Sequence, residues 1–165
     1  MSERKGWAVK ATRTLLLGEL VVEYVGEVID RETWEARKRE LDRFEHMYFM
    51  AMNADEIVDA TRKGNIARFM NHSCAPTCWF VDGGDDYAGL MVATRALKPG
   101  DEVTFDYCTS EDCELSPTWE CHCGAPNCRK RVTPHAVNGV VSPIGLYRAN
   151  RPGVGSMFGP HFDLS

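Results

Sequence analysis

The chain has 165 residues, of which 44% are hydrophobic and 26% are charged, and its formal net charge is −5. These values fit one compact domain with an ordinary core, and they exclude wholesale disorder and a general nucleic-acid binder, which usually carries a basic patch. No apolar stretch approaches the roughly 20 residues that span a bilayer, and no apolar signal-peptide core is visible. We therefore expect a soluble, intracellular protein with no direct nucleic-acid or membrane contact, whose negative charge suits a lysine-rich partner.

Short strands and turns dominate the start of the chain. Residues 7–11 and 20–25 are rich in β-branched and aromatic residues, which is typical of strands, and Gly18 lies between them where a turn is expected. The pattern A-T-R-x-L-x-x-G-acid-x-V begins at Ala11 and recurs at Ala93. This recurrence predicts two similar strand–turn–strand corners, each with a glycine where the backbone reverses.

The clearest helix is predicted from Asp30 to Phe44. Asp30 is placed to cap its N-terminus, and Glu32 favours the positive end of the helix. Trp34, Leu41 and Phe44 fall near one face, which predicts that this face packs on the core.

The middle of the chain alternates between short strands and turns. Strands are predicted at 57–60 and 90–93, with one helical turn at 65–70. The usual nucleotide-binding fingerprints are missing, so the pattern favours a β-rich domain with one main helix. After Cys128, prolines and glycines break any regular pattern, and this tail is expected to be extended, either packed on the domain or mobile.

A cysteine array, C-x-C-x4-C, is formed by Cys121, Cys123 and Cys128. The chain has 7 cysteines, an odd number that cannot all pair into disulfides, and this tight spacing favours a metal site in a reducing compartment. Zinc takes four tetrahedral ligands, so three thiolates leave one ligand position to fill. Buried or disulfide-bonded cysteines are the alternative interpretation.

Two further runs precede the array. The run from Arg68 to Cys74 reads R-F-M-N-H-S-C, and the run from Asp101 to Tyr107 reads D-E-V-T-F-D-Y. Taken alone, the first can be a capped turn, and Tyr107 can be a packing residue at the end of a strand. Together with the cysteine array, and in this order, the runs resemble the SET-domain protein-lysine methyltransferases over about residues 6–128.

The resemblance implies a fold and a division of the chain. The expected fold is mostly β: a SET-domain fold of several short sheets with a pseudoknot-like crossing, one main helix and a zinc-bound post-SET segment. The SET domain is expected at residues 1–107, the post-SET zinc-binding segment at 108–133, and a C-terminal tail of uncertain structure at 134–165. A cysteine-rich pre-SET module is not expected.

The resemblance also fills the open ligand position of the cysteine array. The family's cysteine at the end of the N-H-S-C run is here Cys74, so Zn²⁺ is expected on Cys74, Cys121, Cys123 and Cys128. His122 and Cys78 are competing ligands that rank below Cys74. Because structural zinc contributes folding free energy, this site is expected to tie the C-terminal segment to the turn at residues 71–74.

S-adenosylmethionine is the cofactor that the resemblance implies. The matching cofactor-binding positions are Gly6, Trp7, Tyr24, Arg68, Phe69, Asn71, His72, Trp119 and His122. The Asn71 amide can accept from the cofactor's ammonium group, Arg68 can approach its carboxylate, and backbone groups flanking His72 can hydrogen-bond adenine. The opening departs from the family's usual Gly-x-Gly, because Ala8 adds a methyl group where the backbone approaches the ligand.

The catalytic residues implied by the resemblance are Tyr107, Tyr48 and Phe105. Tyr107 matches the tyrosine at the methyl-transfer point, and Tyr48 matches a second hydroxyl-bearing residue of the lysine channel. Phe105 occupies the position that tunes product multiplicity, and phenylalanine there predicts di- or trimethyl-lysine. The attacking lysine must be neutral, and a dry aromatic channel lowers its pKa from about 10.4.

We therefore expect an S-adenosylmethionine-dependent protein-lysine N-methyltransferase that contains zinc. Its expected partner is a lysine-containing protein or peptide, with a histone tail as the first candidate, and its expected location is the nucleus or chromatin if the source is eukaryotic. The alternatives are a catalytically inactive SET-like peptide- or chromatin-binding module and a small zinc-stabilised structural protein. The target lysine and the oligomeric state stay open.

Overall fold

The computed structural model describes residues 6–40, 48–52, 55–81, 89–107, 119–132 and 162–164. In these ranges the chain is mostly β, as predicted, with one α-helix, α1 (Arg31–Glu40), and one 3-10 helix (Ile66–Phe69). The strands are short: β1 (Val9–Ala11), β2 (Leu20–Glu23), β3 (Glu27–Asp30), β4 (Phe49–Ala51), β5 (Glu56–Asp59), β6 (Asn71–His72), β7 (Cys78–Val81), β8 (Leu90–Ala93), β9 (Thr104–Phe105), β10 (Trp119–Glu120), β11 (Arg131–Val132) and β12 (Phe162–Leu164). None of the described helices is long and apolar enough to cross a membrane.

The strands are distributed over several small sheets. Two sheets have three strands, in the orders β2-β8-β7 and β3-β5-β4, and three are two-stranded, β1-β12, β6-β9 and β10-β11. All pairs are antiparallel except β6 with β9, which is parallel and aligns Asn71 with Thr104 and His72 with Phe105. This parallel pair joins the two runs that carry the family resemblance.

The two predicted corners are similar in structure, and they pair with each other. Leu15 and Leu97 exchange backbone hydrogen bonds of 3.0 and 2.9 Å, and both side chains are buried. Each corner also donates a hydrogen bond to the other from its glycine: Gly18 N donates to the carbonyl of Ala93, and Gly100 N donates to the carbonyl of Ala11. Both glycines have positive φ, of 77° and 91°, a conformation that favours glycine. The corners thereby place the strand that leads to Tyr107 beside β1.

Helix α1 begins where the sequence predicted it. The Thr33 N–H donates a 2.7 Å hydrogen bond to the Asp30 carboxylate, which is the predicted cap. Trp34 is fully buried against Phe49, with ring centroids 4.4 Å apart. The described helix ends at Glu40, and residues 41–44 of the predicted helix lie outside the described residues.

Helix α1 is also attached to the β3-β5-β4 sheet by ion pairs. One Arg37 nitrogen donates to the carboxylates of Glu27 and Asp59 at 2.9 and 2.7 Å. Burial works against ionisation of Asp59, but hydrogen bonds from Arg37 and Thr61 outweigh it and lower its pKa. The buried carboxylate is thus kept charged and paired.

Most predicted strands occur within a residue or two of their expected limits. The strand at 90–93 is as predicted, the strand at 57–60 begins one residue earlier, and the helical turn at 65–70 is the 3-10 helix with Asn65 as its cap. Strands β3, β4, β6, β7, β10 and β11 were not predicted, because runs of two to four residues carry too little periodicity. The end of the expected extended tail, β12, pairs with β1, while residues 133–161 lie outside the described part of the chain.

Candidate functional site

Four cysteine sulfurs converge in space, and we call them the cysteine cluster: Cys74, Cys121, Cys123 and Cys128. Their Sγ atoms all lie within 4.8 Å of one another, and Cys121 Sγ is 3.7 Å from both Cys74 Sγ and Cys128 Sγ. A tetrahedral zinc ion with 2.3 Å bonds to sulfur separates its ligands by about 3.8 Å. The four cysteines are free thiols and not disulfides, so their geometry fits a tetrathiolate zinc site.

Backbone N–H groups surround the cysteine cluster. Arg129 N lies 3.3 Å from Cys74 Sγ, and Lys130 N lies 3.4 Å from Cys128 Sγ. Lys130 has a positive φ of 66°, which is uncommon for a residue with a side chain. The hairpin between β10 and β11 is closed by a 2.8 Å hydrogen bond from Cys121 N to Lys130 O. These N–H groups stabilise negative charge on the sulfurs.

The thiols of the cluster have different proton affinities. Burial raises the pKa of Cys121 to about 12 and also raises that of Cys74. At Cys123, burial is outweighed by N–H groups of Cys74 and Ala125, which lower its pKa to about 6. A bound dication would favour the thiolate form at every position, so metal binding here releases protons.

The two competing ligands lie outside the cysteine cluster. His122 is exposed, and its Nε2 lies 3.4 Å from a carboxylate oxygen of Glu120. Cys78 is fully buried in β7, opposite Ala93, and burial raises its pKa to about 12. The fold therefore brings Cys74, and neither competitor, to the cysteine array.

Tyr107 is anchored at both ends. Its hydroxyl donates a 2.7 Å hydrogen bond to the carbonyl of Met70, and its backbone N–H donates a 3.2 Å hydrogen bond to His72 Nδ1. Burial raises the pKa of Tyr107 well above its usual range. The hydroxyl is therefore a fixed hydrogen-bond donor at neutral pH and not a general base.

Aromatic side chains surround Tyr107 and form what we call the aromatic cluster: Tyr24, Tyr48, Phe69, Phe105 and Tyr107. The Phe105 ring is 4.8 Å from the Tyr107 ring, and Tyr48 packs edge-on against Phe69 at 5.4 Å. Tyr24 is buried, and this burial, together with Tyr107 nearby, raises the pKa of Tyr24. All three predicted catalytic residues thus share one apolar environment.

Arg68 belongs to the same region. Its guanidinium lies 4.6 Å from the Phe69 ring centroid and 5.4 Å from that of Tyr48, and it donates to the carbonyl of Ala60. Its Nε is buried and has no hydrogen-bond partner among the described residues. A buried donor of this kind is costly unless a ligand satisfies it, which fits the predicted approach of Arg68 to the cofactor carboxylate.

Asn71 joins the start of the chain to β6. Its Nδ2 donates to the carbonyl of Trp7 and to Glu102 Oε1, both at 3.0 Å. Since both contacts use the nitrogen of the amide, its oxygen can act as an acceptor, which fits the predicted contact with the cofactor's ammonium group. Trp7 is 49% exposed, which leaves it accessible to a ligand.

The remaining predicted cofactor residues are distributed around this centre. Gly6 and Trp7 lie beside Asn71, and His72 is buried between Tyr107 and the cysteine cluster. Trp119 lies on β10, next to Cys121, and its side chain is outside the described structure. His122 is exposed on the hairpin that carries the cysteines.

Two residues of the site were missed by the sequence analysis. Arg129 donates to both carboxylate oxygens of Asp106, at 2.8 and 2.9 Å, and both side chains are largely buried. This hydrogen bonding raises the pKa of Arg129. The only signals available were their positions directly before Tyr107 and directly after Cys128, and neither indicated that they would meet.

Comparison with known proteins identifies relatives of this arrangement. A family model described as SET domain matches residues 6–108. The chain is 42% identical over 135 residues to histone-lysine N-methyltransferase SETD2 of Homo sapiens, which covers 78% of the chain and 5% of that protein. It is 36% identical over 146 residues to histone-lysine N-methyltransferase ASHH2 of Arabidopsis thaliana, covering 85% of the chain and 8% of the relative.

A fungal relative is similar to the same extent. The Chaetomium globosum protein named histone-lysine N-methyltransferase, H3 lysine-36 specific, is 40% identical over 133 residues, covering 77% of the chain and 14% of the relative. The chain therefore spans only between 5% and 14% of the length of these three relatives.

Proposed function

Since the chain belongs to the SET-domain family, we propose that it is an S-adenosylmethionine-dependent protein-lysine N-methyltransferase that acts on histone. The observation that carries this proposal is the position of Tyr107. Its ring lies in the aromatic cluster, its hydroxyl is fixed on Met70, and its backbone is fixed on His72, next to the predicted cofactor residue Asn71.

The site residues divide the work of methyl transfer between them. S-adenosylmethionine would supply an electrophilic methyl group, and the Asn71 oxygen, the Trp7 ring and the Arg68 Nε would hold its charged groups. The aromatic cluster supplies a dry environment that favours the neutral form of the attacking lysine. The Tyr107 hydroxyl and the Met70 carbonyl are the polar groups that orient the amine, so positioning is the main catalytic contribution.

The cysteine cluster would hold the zinc ion. In that role zinc supplies structural cross-linking between the turn at Cys74 and the hairpin that carries the other three cysteines. The division into a SET domain at 1–107, a post-SET segment at 108–133 and a tail at 134–165 is proposed on the same basis.

The substrate proposal follows from the relatives. Because the fungal relative is named as specific for H3 lysine 36, the first substrate to test is the H3 tail around that lysine. Phe105 supports a di- or trimethyl product, because phenylalanine has no hydroxyl that would add a polar group beside Tyr107. A histone substrate places the protein in the nucleus.

Methyl transfer can be tested directly. Purified chain is incubated with radiolabelled S-adenosylmethionine and one of two H3 peptides, which contain either lysine 36 or arginine in its place. The Tyr107→Phe variant is the control enzyme. We expect label on the lysine peptide alone, and none with Tyr107→Phe. Label on neither peptide nor on whole histones, together with no binding of S-adenosylmethionine in calorimetry, would instead support an inactive binding module.

A further inference from the structure

The side chain of His72 lies between the cysteine cluster and Tyr107. His72 is 8% exposed, its Nε2 is 3.4 Å from Cys74 Sγ, and its Nδ1 is 3.2 Å from the backbone nitrogen of Tyr107. Its ring centroid is 5.4 Å from that of Tyr107. One imidazole therefore spans the distance between a sulfur of the cysteine cluster and the residue at the proposed methyl-transfer point.

The hydrogen bonds assign the proton on this imidazole. The Tyr107 backbone nitrogen carries a hydrogen that can only be donated, so Nδ1 must be the acceptor. In a neutral imidazole the hydrogen is then on Nε2, which faces Cys74 Sγ. A metal-bound thiolate is a good acceptor for this N–H group.

A second contact of His72 points to the opposite assignment. Asp106 Oδ1 lies 3.5 Å from Nδ1, and a hydrogen on Nδ1 would face it. However, this distance is longer than the 3.2 Å from the Tyr107 backbone nitrogen to Nδ1, and the charge of Asp106 is already balanced by Arg129, which donates to both of its oxygens at 2.8 and 2.9 Å. A hydrogen on Nδ1 would also point towards the Tyr107 N–H and break the hydrogen bond that Nδ1 accepts from it.

From this geometry we infer that His72 is a positioning residue, which links the order of the cysteine cluster to the placement of Tyr107. Met70 O and His72 Nδ1, which both accept hydrogen bonds from Tyr107, belong to the segment that ends at Cys74. When metal fixes Cys74, the Nε2–H bond fixes the imidazole, and the imidazole fixes the Tyr107 backbone. The kinetic part of this inference rests on the proposed function, whereas its structural part does not.

The first test locates the imidazole hydrogen. Long-range ¹H–¹⁵N spectra of the zinc-loaded, ¹⁵N-labelled chain distinguish a protonated from an unprotonated ring nitrogen for each histidine. We expect His72 to have a protonated Nε2 and an unprotonated Nδ1, with exposed His122 as an internal reference. A hydrogen on Nδ1, whether alone or on both nitrogens, overturns the inference.

The second test separates the two contacts of the His72 side chain, which we call the bridge: Nε2 with Cys74 Sγ, and Nδ1 with the Tyr107 backbone nitrogen. In His72→Gln the amide group lies where Nε2 was, so a donor to Cys74 is kept and the acceptor for Tyr107 is lost. In His72→Asn the amide lies where Nδ1 was, so the acceptor is kept and the donor is lost. A residue that only fills space would give the same result with both variants.

The expected results differ between the variants. His72→Asn should lose about tenfold or more in zinc affinity, because a hydrogen bond to a metal ligand is removed. His72→Gln should keep zinc affinity and lose about 10²-fold in kcat, with the KM for S-adenosylmethionine unchanged, because Tyr107 is misplaced. At saturating zinc, His72→Asn should turn over faster than His72→Gln.

The controls distinguish the possible failures. If the two variants have equal zinc affinities and equal kcat values, the bridge is refuted. If the unchanged chain shows no methyl transfer, the proposed function fails, but the imidazole spectra and the zinc affinities still decide the bridge. Should either variant fail to fold, the spectra of the unchanged chain decide it alone.

Discussion

Arg129 holds both carboxylate oxygens of Asp106, at 2.8 and 2.9 Å, across a sequence separation of 23 residues. Asp106 immediately precedes Tyr107, and Arg129 immediately follows the last residue of the cysteine cluster. The hairpin that carries three of the cysteines is therefore attached to the end of β9 by a charged pair, and to the turn at Cys74 by the proposed metal. Because the Arg129 backbone also donates to Cys74 Sγ, the two attachments support one another.

Replacing Arg129 with Met should destabilise the protein strongly. The change removes the guanidinium that pairs with the buried Asp106 carboxylate, and breaking a buried pair in this way costs about 3–5 kcal/mol. Urea unfolding at fixed zinc concentration measures the loss. The matched control is Arg95→Gln, which breaks an exposed pair with Asp101 and should change stability little. Equal effects of the two substitutions would contradict a special role for Arg129.

Replacing Tyr107 with Phe should abolish most methyl transfer without unfolding the protein. Loss of the hydroxyl removes an oriented polar group at the reacting centre, so we expect kcat to fall by about 10²-fold or more. It also leaves the Met70 carbonyl unpaired, at a cost of about 1 kcal/mol in unfolding free energy. Single-turnover kinetics and calorimetric binding of S-adenosylmethionine check the result. An active variant would remove Tyr107 from the mechanism.

Replacing Phe105 with Tyr should shift the product towards lower methylation states. The Phe105 ring lies 4.8 Å from that of Tyr107, so an added hydroxyl would introduce a polar group beside the amine and reduce the room for a methylated one. Mass spectrometry of an H3 peptide over a time course gives the distribution of mono-, di- and trimethyl products. An unchanged distribution would show that Phe105 does not set multiplicity.

Removing Cys74 should abolish zinc binding, whereas removing Cys78 should not. Cys74 Sγ belongs to the cysteine cluster, while Cys78 is enclosed in the core on β7. We expect one zinc ion per chain in the unchanged protein and in Cys78→Ala, and a large loss of zinc in Cys74→Ser, as measured by elemental analysis after dialysis. Chelation of the unchanged protein should likewise reduce its stability and its activity. Full zinc content in Cys74→Ser would contradict the proposed ligand set.

Stability should fall in acid partly through Asp59. The pKa of Asp59 is lower in the folded protein than the usual value of about 3.9, so its pairing stabilises the protein fully above that value. This contribution is lost as the pH falls through the lowered folded-state pKa. Asp59→Asn should therefore show a smaller loss of unfolding free energy between neutral pH and about pH 3 than the unchanged chain. Parallel pH profiles for the two proteins would rule out this role, and metal loss in acid affects both equally.

Local sequence determined the features that depend on nearby residues. The spacing of Cys121, Cys123 and Cys128 indicated a metal site, the repeated A-T-R-x-L-x-x-G pattern indicated two matching corners, and Asp30 indicated a helix start. Each of these depends on turn chemistry or capping between residues that are close together in the chain, and such local signals can be recognised in a single sequence. The fourth cysteine came only from resemblance to a family, because no local pattern joins Cys74 to the array.

The tertiary structure decided which distant groups meet. Strand β6 has only two residues, too few for any periodic signal, yet its parallel pairing with β9 brings His72 beside Tyr107. The same closure places Arg129 on Asp106, and it leaves Cys78 in the core while Cys74 reaches the cysteine cluster. Such contacts depend on how several strands close on one another, and this long-range closure is set by the packing of the whole core. For this reason the Arg129–Asp106 pair and the contact of His72 with Tyr107 were not predicted, and Cys74 was expected only from the family resemblance.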